Sequence, residues 1–265
     1  MLKFKPRRVN FEDGRTPVMS NNEIDEFAEA VIADYKPELL KKPGKIDMED
    51  FVEYYIKTDV IFKDIYYEDP NKPIRALTIL NDGKIKVFDR DNTCVSYVDV
   101  PARAVVIDNE VTEKGKEGIE LFSGLHEAGH ILLHWDVFVD KHGNPYEKKK
   151  NDEFASVICC QRNYIENTNL SGNRTLYDWQ EHQADYFAAA TSMPNITFRP
   201  FVIQFLRENG IYRGSIILGR NSDSDILAND LLPEYISETY GVSKRAAKIK
   251  LRKCGFVYGI NDIKL

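Results

Sequence analysis

Cysteine, histidine and long apolar runs are scarce in this chain, and each scarcity removes a class of explanation. Its 265 residues hold four cysteines: Cys94, the adjacent Cys159 and Cys160, and Cys254. That is neither a disulfide framework nor a C-x-x-C zinc pattern, and a reducing cytoplasm is the simplest expectation. No stretch approaches the ~18 consecutive apolar residues of a membrane span, so no membrane association is expected. The opening MLKFKPRRVNFEDG has basic residues but no apolar segment behind them, and does not read as a secretory signal. Basic charge is not in excess either: 36 Lys and Arg against 42 Asp and Glu leave a net charge of -6, which argues against a protein that coats nucleic acid over its whole surface. No internal repeat or low-complexity segment occurs. What remains is an ordinary globular composition, in a length that suits one large domain or one domain with a small appendage.

Periodicity supplies the elements. In SNNEIDEFAEAVIADYKPELL the apolar residues Ile24, Phe27, Ala28, Val31, Ile32 and Tyr35 fall at helical spacing, with Ser20 and Glu23 placed to form a capping box and the helix ending near Pro37. A shorter helix fits DMEDFVEYYIK, opened by Asp47 as N-cap. DVIFKDIYYED, IRALTILNDGKIKVFDRD, CVSYVDV and RAVVIDN are rich in β-branched and aromatic residues, and NDG at 81–83 signals a hairpin, so a small, largely antiparallel sheet is expected. After Asn109 the pattern turns helical, with a helix to about Trp135. From Asp136 to about Arg174 the chain reads as polar and irregular, a long connection that is unusual in a compact domain unless it is functional or mobile. LYDWQEHQADYFAAATSMP predicts another helix, stopped at Met193 by Pro194, and two or three more follow.

The five histidines are not spread evenly. His126, His130 and His134 stand in LFSGLHEAGHILLHWDVF, with Glu127 between the first two. On a helix, positions i and i+4 share a face, so His126 and His130 can direct both imidazoles at one ion, with Glu127 beside it. This is the H-E-x-x-H arrangement, in which two histidines hold zinc and the glutamate takes a proton from the attacking water. Catalytic zinc usually has three protein ligands, and a glutamate from another helix is a common third. The helix at 176–193 offers Glu181, with Asp185 on the same face to accept a hydrogen bond from the far nitrogen of a ligand histidine. The alternative is two polar helix faces exposed to water. His134 lies about 12 Å of helix rise from His126, too far to share an ion with it in ordinary geometry, so a packing or supporting role is expected for it.

On these residues the chain resembles the ImmA/IrrE-type zinc metallopeptidases. HEAGHILLH at 126–134 has the form H-E-x-G-H-x-x-L-H, and EHQADYFAAATSMP at 181–194 looks like the signature E-x-x-A-[ND]-x-F-A followed by M-P. IDEFAEAVIADYKPELLKKPGKIDMEDFVEYYI and AVVIDN look like the N-terminal helices and the strand before the active-site helix, so the resemblance covers most of residues 20–200. It implies an α+β, zincin-like fold of the gluzincin type, with zinc as cofactor, His126, His130 and Glu181 as ligands and Glu127 as catalytic base. It also implies a bacterial or phage cytoplasmic endopeptidase whose protein substrate is a helix-turn-helix repressor.

Other signals are less specific. Tyr164, Arg174 and Tyr177 are candidate donors to the oxyanion of peptide hydrolysis, and spacing does not choose among them. Cys159 and Cys160 can in principle place a thiolate on the metal, though loop cysteines are far more often inert. ISETYGVSKRAAKIKLRKCG, residues 236–255, has the cadence of a helix-turn-helix with Lys244, Arg245, Lys248, Lys250, Arg252 and Lys253 in or after its second helix. A solvated basic helix on a scaffold is the plainer reading, with DNA binding the alternative. The expected organisation is a metallopeptidase domain over 1–200 and a helical subdomain over 201–265. A non-catalytic regulatory protein that keeps zinc for structure is the competing function.

Overall fold

The structure, a computed structural model, describes residues 2–259 apart from 11, 70, 72, 147–152 and 162–174. It is a mixed α+β fold with small sheets. Helix α1 (Asn21–Tyr35) opens with the capping box expected of Ser20 and Glu23 and ends at Lys36. Helix α2 (Asp50–Ile56) is π-helical; Asp47 accepts from the Asp50 N–H, and the helix stops at Lys57, whose φ is 62°.

Four strands, β1 (Val60–Lys63), β2 (Ile74–Ile79), β5 (Val105–Asp108) and β6 (Val157–Gln161), form one sheet in the order β1-β5-β2-β6. β1 runs parallel to β5, while β2 is antiparallel to both β5 and β6. Both faces of the sheet are covered. Ala76, Val105 and Ile107 belong to the main core beneath the helices, whereas Leu77, Ile79 and Val106 pack with Ile85, Val87 and Val100 of a separate hairpin, β3 (Gly83–Asp89) and β4 (Cys94–Val100). That two-sided burial is why VVID of β5 is buried throughout instead of alternating.

Two expectations are corrected here. NDG at 81–83 does not join paired strands: β2 and β3 lie in different sheets. Each of its residues is held by a distant segment instead. Asn81 Oδ1 accepts from the Ser156 N–H, Asp82 Oδ1 accepts from the Ala102 N–H, and a Cβ on Gly83 would lie 2.5 Å from the Ala155 nitrogen. The glycine permits close backbone approach where a hairpin turn was expected. The 136–174 segment is likewise not irregular throughout, because it finishes a helix at Phe138 and supplies β6. Lys148 to Lys150 lie outside the described residues.

Helix α3 (Glu117–Gly129) runs beneath the sheet and continues through one π-helical turn, His130–His134, into Trp135–Phe138. Helix α4 (Leu176–Ser192) crosses it, capped by Thr175 and Asp178 and stopped at Met193. Helix α5 (Asn195–Glu208) follows, then the short strand β7 (Ile216–Ile217) and α6 (Ser222–Ile226), which leads through a π-helical turn into α7 (Leu232–Tyr240). Helix α8 (Lys244–Lys253) precedes β8 (Val257–Tyr258), which pairs with β7. Tyr240, Leu251 and Phe256 share one core cluster with Ile24, Leu125 and Phe187. No helix among the described residues is long and apolar enough to cross a membrane.

Candidate metal centre

The site forms where α3 and α4 cross, and two small residues set how closely. A Cβ on Gly129 would lie 3.2 Å from Phe187 Cδ1 and 3.3 Å from Ala184 Cα, so this glycine and alanine let the helix backbones approach. That approach carries Glu181, one turn before Ala184, to the histidine face of α3. Nε2 of His126 and Nε2 of His130 are 3.0 Å apart, and the Glu181 carboxylate bridges them, with Oε1 at 3.2 Å from His130 and Oε2 at 3.4 Å from His126.

All three residues are at most 1% exposed, and one donor atom from each lies within 4.8 Å of the others, so the group can hold a metal ion. Four donors around a zinc ion at bond lengths of about 2.0–2.1 Å would sit about 3.3 Å apart, close to the spacings seen. Beyond those two ring nitrogens, neither oxygen of Glu181 has a hydrogen-bond partner among the described residues, as suits a carboxylate that shares a cation with them. Burial by itself raises the Glu181 carboxyl, but the contacts with His126 and His130 outweigh it and hold the group below the ordinary carboxylate range.

Asp185 Oδ1 lies 2.9 Å from His126 Nδ1, the supporting contact expected of it, which puts the His126 proton on Nδ1 and frees Nε2 for the ion. His134 is fully buried and stands with Nδ1 3.1 Å from Nδ1 of His130. Burial, with His130 beside it, pushes His134 down to about 3, so the ring is neutral. The π-helical turn at His130–His134 brings these two rings together at their Nδ1 edges, with centroids 5.2 Å apart and planes inclined by 53°; such turns are rare and cluster at functional positions.

Glu127 is completely buried, and burial raises its carboxyl above the ordinary value against the opposing effect of the neighbouring histidines. Thr78 Oγ1 donates to its Oε2 at 2.5 Å, while Oε1 has no hydrogen-bond partner among the described residues. Thr78 reaches it because β2 places Ala76 and Thr78 on the face turned towards α3, opposite Ile107 and Val105 of β5. Sequence reasoning missed Thr78 and also Gln183, whose Oε1 lies 2.8 Å from His134 Nε2. A signal existed for each: Thr78 is the polar residue in the otherwise apolar ALTIL, and Gln183 lies on the buried side of α4.

Of the candidate oxyanion donors, Tyr177 is half-buried on α4, one turn before Glu181; Tyr164 and Arg174 lie outside the described residues. The backbones of Cys159 and Cys160 lie in β6, and their side chains are not among those described. The turn between α7 and α8 is packed against the start of α3, where a Cβ on Gly118 would lie 2.3 Å from the Ser243 nitrogen. Lys244, Arg245, Arg252 and Lys253 are exposed, Lys244 in an ion pair with Glu234, and Lys250 is buried.

No family model matches the chain, and no curated protein does. Among solved structures, a Mycobacterium tuberculosis transcriptional regulator is similar at 12% identity with a TM-score of 0.39, over 86% of this chain and 47% of that one. The chain therefore spans about half the length of that regulator, and a likeness this distant carries no argument about function.

Proposed function

We propose that this chain is a zinc-dependent endopeptidase of the ImmA/IrrE type, with a zincin-like core in which His126, His130 and Glu181 hold the metal and Glu127 is the catalytic base. The observation that carries the reading is the buried trio of two imidazoles and a carboxylate, with Glu127 beside it on the same helix. Nitrogen and oxygen donors at three positions suit zinc with a fourth position open. Bound there, zinc supplies Lewis acidity, which acidifies water and polarises a scissile carbonyl.

The chain's own residues do the rest. Thr78 holds Oε2 of Glu127, so Oε1 is the oxygen left to take the proton of the attacking water and pass it to the leaving amine. A site with only a structural metal has no need of a buried carboxylate with one oxygen left unpartnered at this position, which favours the enzyme over the regulatory alternative.

The substrate we propose is a helix-turn-helix repressor cut at one site, with proteolysis serving regulation. Burial of all four site residues to 1% exposure or less supports this choice, because a hidden site suits selective cutting better than digestion. The docking of the α7–α8 turn on Gly118 supports reading the C-terminal helices as scaffold, not as a DNA reader. The test is to incubate the zinc-loaded protein and its Glu127→Gln variant with repressors encoded beside the gene, and with casein. A single cut in one repressor by the wild type alone is expected. Equal cutting by a zinc-loaded Glu127→Gln variant would refute the mechanism, and rapid casein digestion would refute the regulatory reading.

A further inference from the structure

The two histidines that face Glu181 are steadied by different means. His126 leans on a carboxylate, Asp185. His130 leans on no acid: its Nδ1 lies 3.1 Å from Nδ1 of His134, Nε2 of His134 lies 2.8 Å from Oε1 of Gln183, and Nε2 of Gln183 donates to the Pro17 carbonyl at 2.7 Å. Two ring nitrogens facing each other at hydrogen-bond distance, with no place for a cation between them, share one proton, so one ring donates and the other accepts; the Nε2 pair of His126 and His130, which faces the Glu181 carboxylate, is instead the pair that the metal reading places around the ion.

The far end of the chain decides which. A backbone carbonyl only accepts, so Gln183 turns its amino group to Pro17 and its oxygen to His134. An amide oxygen also only accepts, so His134 carries its proton on Nε2. A second proton would charge a ring that is 0% exposed with no acid in hydrogen-bond contact, so its Nδ1 is bare. His130 then carries its proton on Nδ1, which leaves the Nε2 lone pair free among the three donors. Starting instead from the metal gives the same assignment, since a ligand Nε2 cannot carry a proton.

We propose that Gln183, anchored on the Pro17 carbonyl, is a positioning residue that sets the tautomer of His130 through His134, so that this one carbonyl, remote in sequence, forms part of the metal centre. Its segment is tied to α4 a second time, where Gln180 Nε2 donates to Thr16 Oγ1 at 2.8 Å, but that bond touches no histidine. The inference rests on the zinc reading and is independent of peptidase activity.

With five histidines, the imidazole nitrogens of ¹⁵N-labelled protein are resolvable by long-range proton–nitrogen correlation, with and without zinc. The Nε2–H tautomer is expected at His134 in both states, and the Nδ1–H tautomer at His130 with zinc bound. Gln183→Met, apolar and of similar size, should let His134 exchange tautomers and weaken zinc binding by about 10–100-fold, measured by competition with a chelating dye. Gln180→Ala loosens the same segment and should leave zinc affinity unchanged. An Nδ1–H tautomer at His134 overturns the proposal, as does undiminished zinc affinity in Gln183→Met or an equal loss in both variants. The first of these readouts needs no variant to fold. Were the wild type to bind no zinc, the metal reading would fall, while the His134 tautomer in zinc-free protein would still decide this inference.

Discussion

Helices α3 and α4 bury a polar cluster beside their apolar contacts, whereas α7 and α8 bury almost nothing but apolar side chains. Between α3 and α4 lie His126, Glu127, His130, His134, Gln180, Glu181 and Gln183, all buried. Around α7 and α8 the buried residues include Leu232, Pro233, Ile236, Tyr240, Val242, Ala247 and Leu251, with Lys250 as the charged exception. Both places depend on a glycine at a close contact, Gly129 against Ala184 and Gly118 against Ser243. Packing geometry therefore does not separate them, and the energetics do. Apolar burial stabilises the C-terminal pair directly, whereas buried polar groups destabilise unless each is partnered. On the proposed metal reading a cation completes the α3–α4 crossing, so metal should act there as a folding ligand and have no direct effect at the other pair.

Chelation is thus the sharpest way to separate the two regions. A ligand present at a thousandfold its Kd stabilises by about 4 kcal/mol, and a chain of this size shifts by about 2–4 °C per kcal/mol, so zinc removal should lower Tm by on the order of 10 °C in calorimetry. Glu181→Ala should purify without zinc and show no such shift, while His134→Ala should retain zinc at reduced affinity. Full zinc occupancy in Glu181→Ala would overturn the ligand assignment.

Gly118→Ala probes the other side. Its new methyl would meet the Ser243 backbone, and overpacking of this kind costs about 1–3 kcal/mol. Denaturant unfolding should show that loss while zinc affinity stays at the wild-type level. A loss of zinc affinity would mean that the two regions are coupled and the contrast is false.

Much of this contrast was legible in the sequence because it rests on local rules. The i, i+4 pair His126 and His130, the Glu181/Asp185 pair on α4, and the caps at Ser20 and Asp47 each depend on neighbours within one or two turns. Sheet assignment failed at Asn81–Gly83 because the turn residues answer to Ser156, Ala102 and Ala155, partners that are remote in the chain. Gln183 was missed for the same reason, its acceptor Pro17 lying 166 positions away.

Thr78 belongs with these and carries its own prediction. Thr78→Val preserves the shape of the side chain and removes the donor to Glu127 Oε2. Loss of that bond frees the carboxylate to rotate, and a fall of about tenfold in kcat with little change in KM is expected, the size of effect that one positioned hydrogen bond of about 1.4 kcal/mol supports. Unchanged kcat on a cleaved repressor would show that Glu127 is positioned without Thr78.

The smallest expected effect concerns Lys250, the charged residue hidden in the C-terminal pair. Its ammonium lies 5.8 Å from the centre of the Phe198 ring, with Asp25 and Cys254 nearby favouring its charge and Arg199 and Lys253 opposing it. Burial prevails and lowers its pKa below the ordinary lysine value. The unfolded chain therefore holds this proton more tightly, and stability should rise with pH between the lowered folded value and about 10.4. Tyr35, Tyr55 and Tyr240, each raised to about 12, act in the opposite sense but only above about pH 10, and Cys254, also raised by burial, only above its ordinary thiol range. These groups are common to the wild type and to Lys250→Met, so the difference between their denaturant titrations, followed up to about pH 10, isolates the lysine. Lys250→Met should raise stability at pH 7 and flatten this rise, since an apolar side chain of similar length removes the desolvation cost and keeps the packing. A destabilised Lys250→Met variant with an unchanged pH slope would instead show that the lysine is held there by an interaction the contrast does not contain.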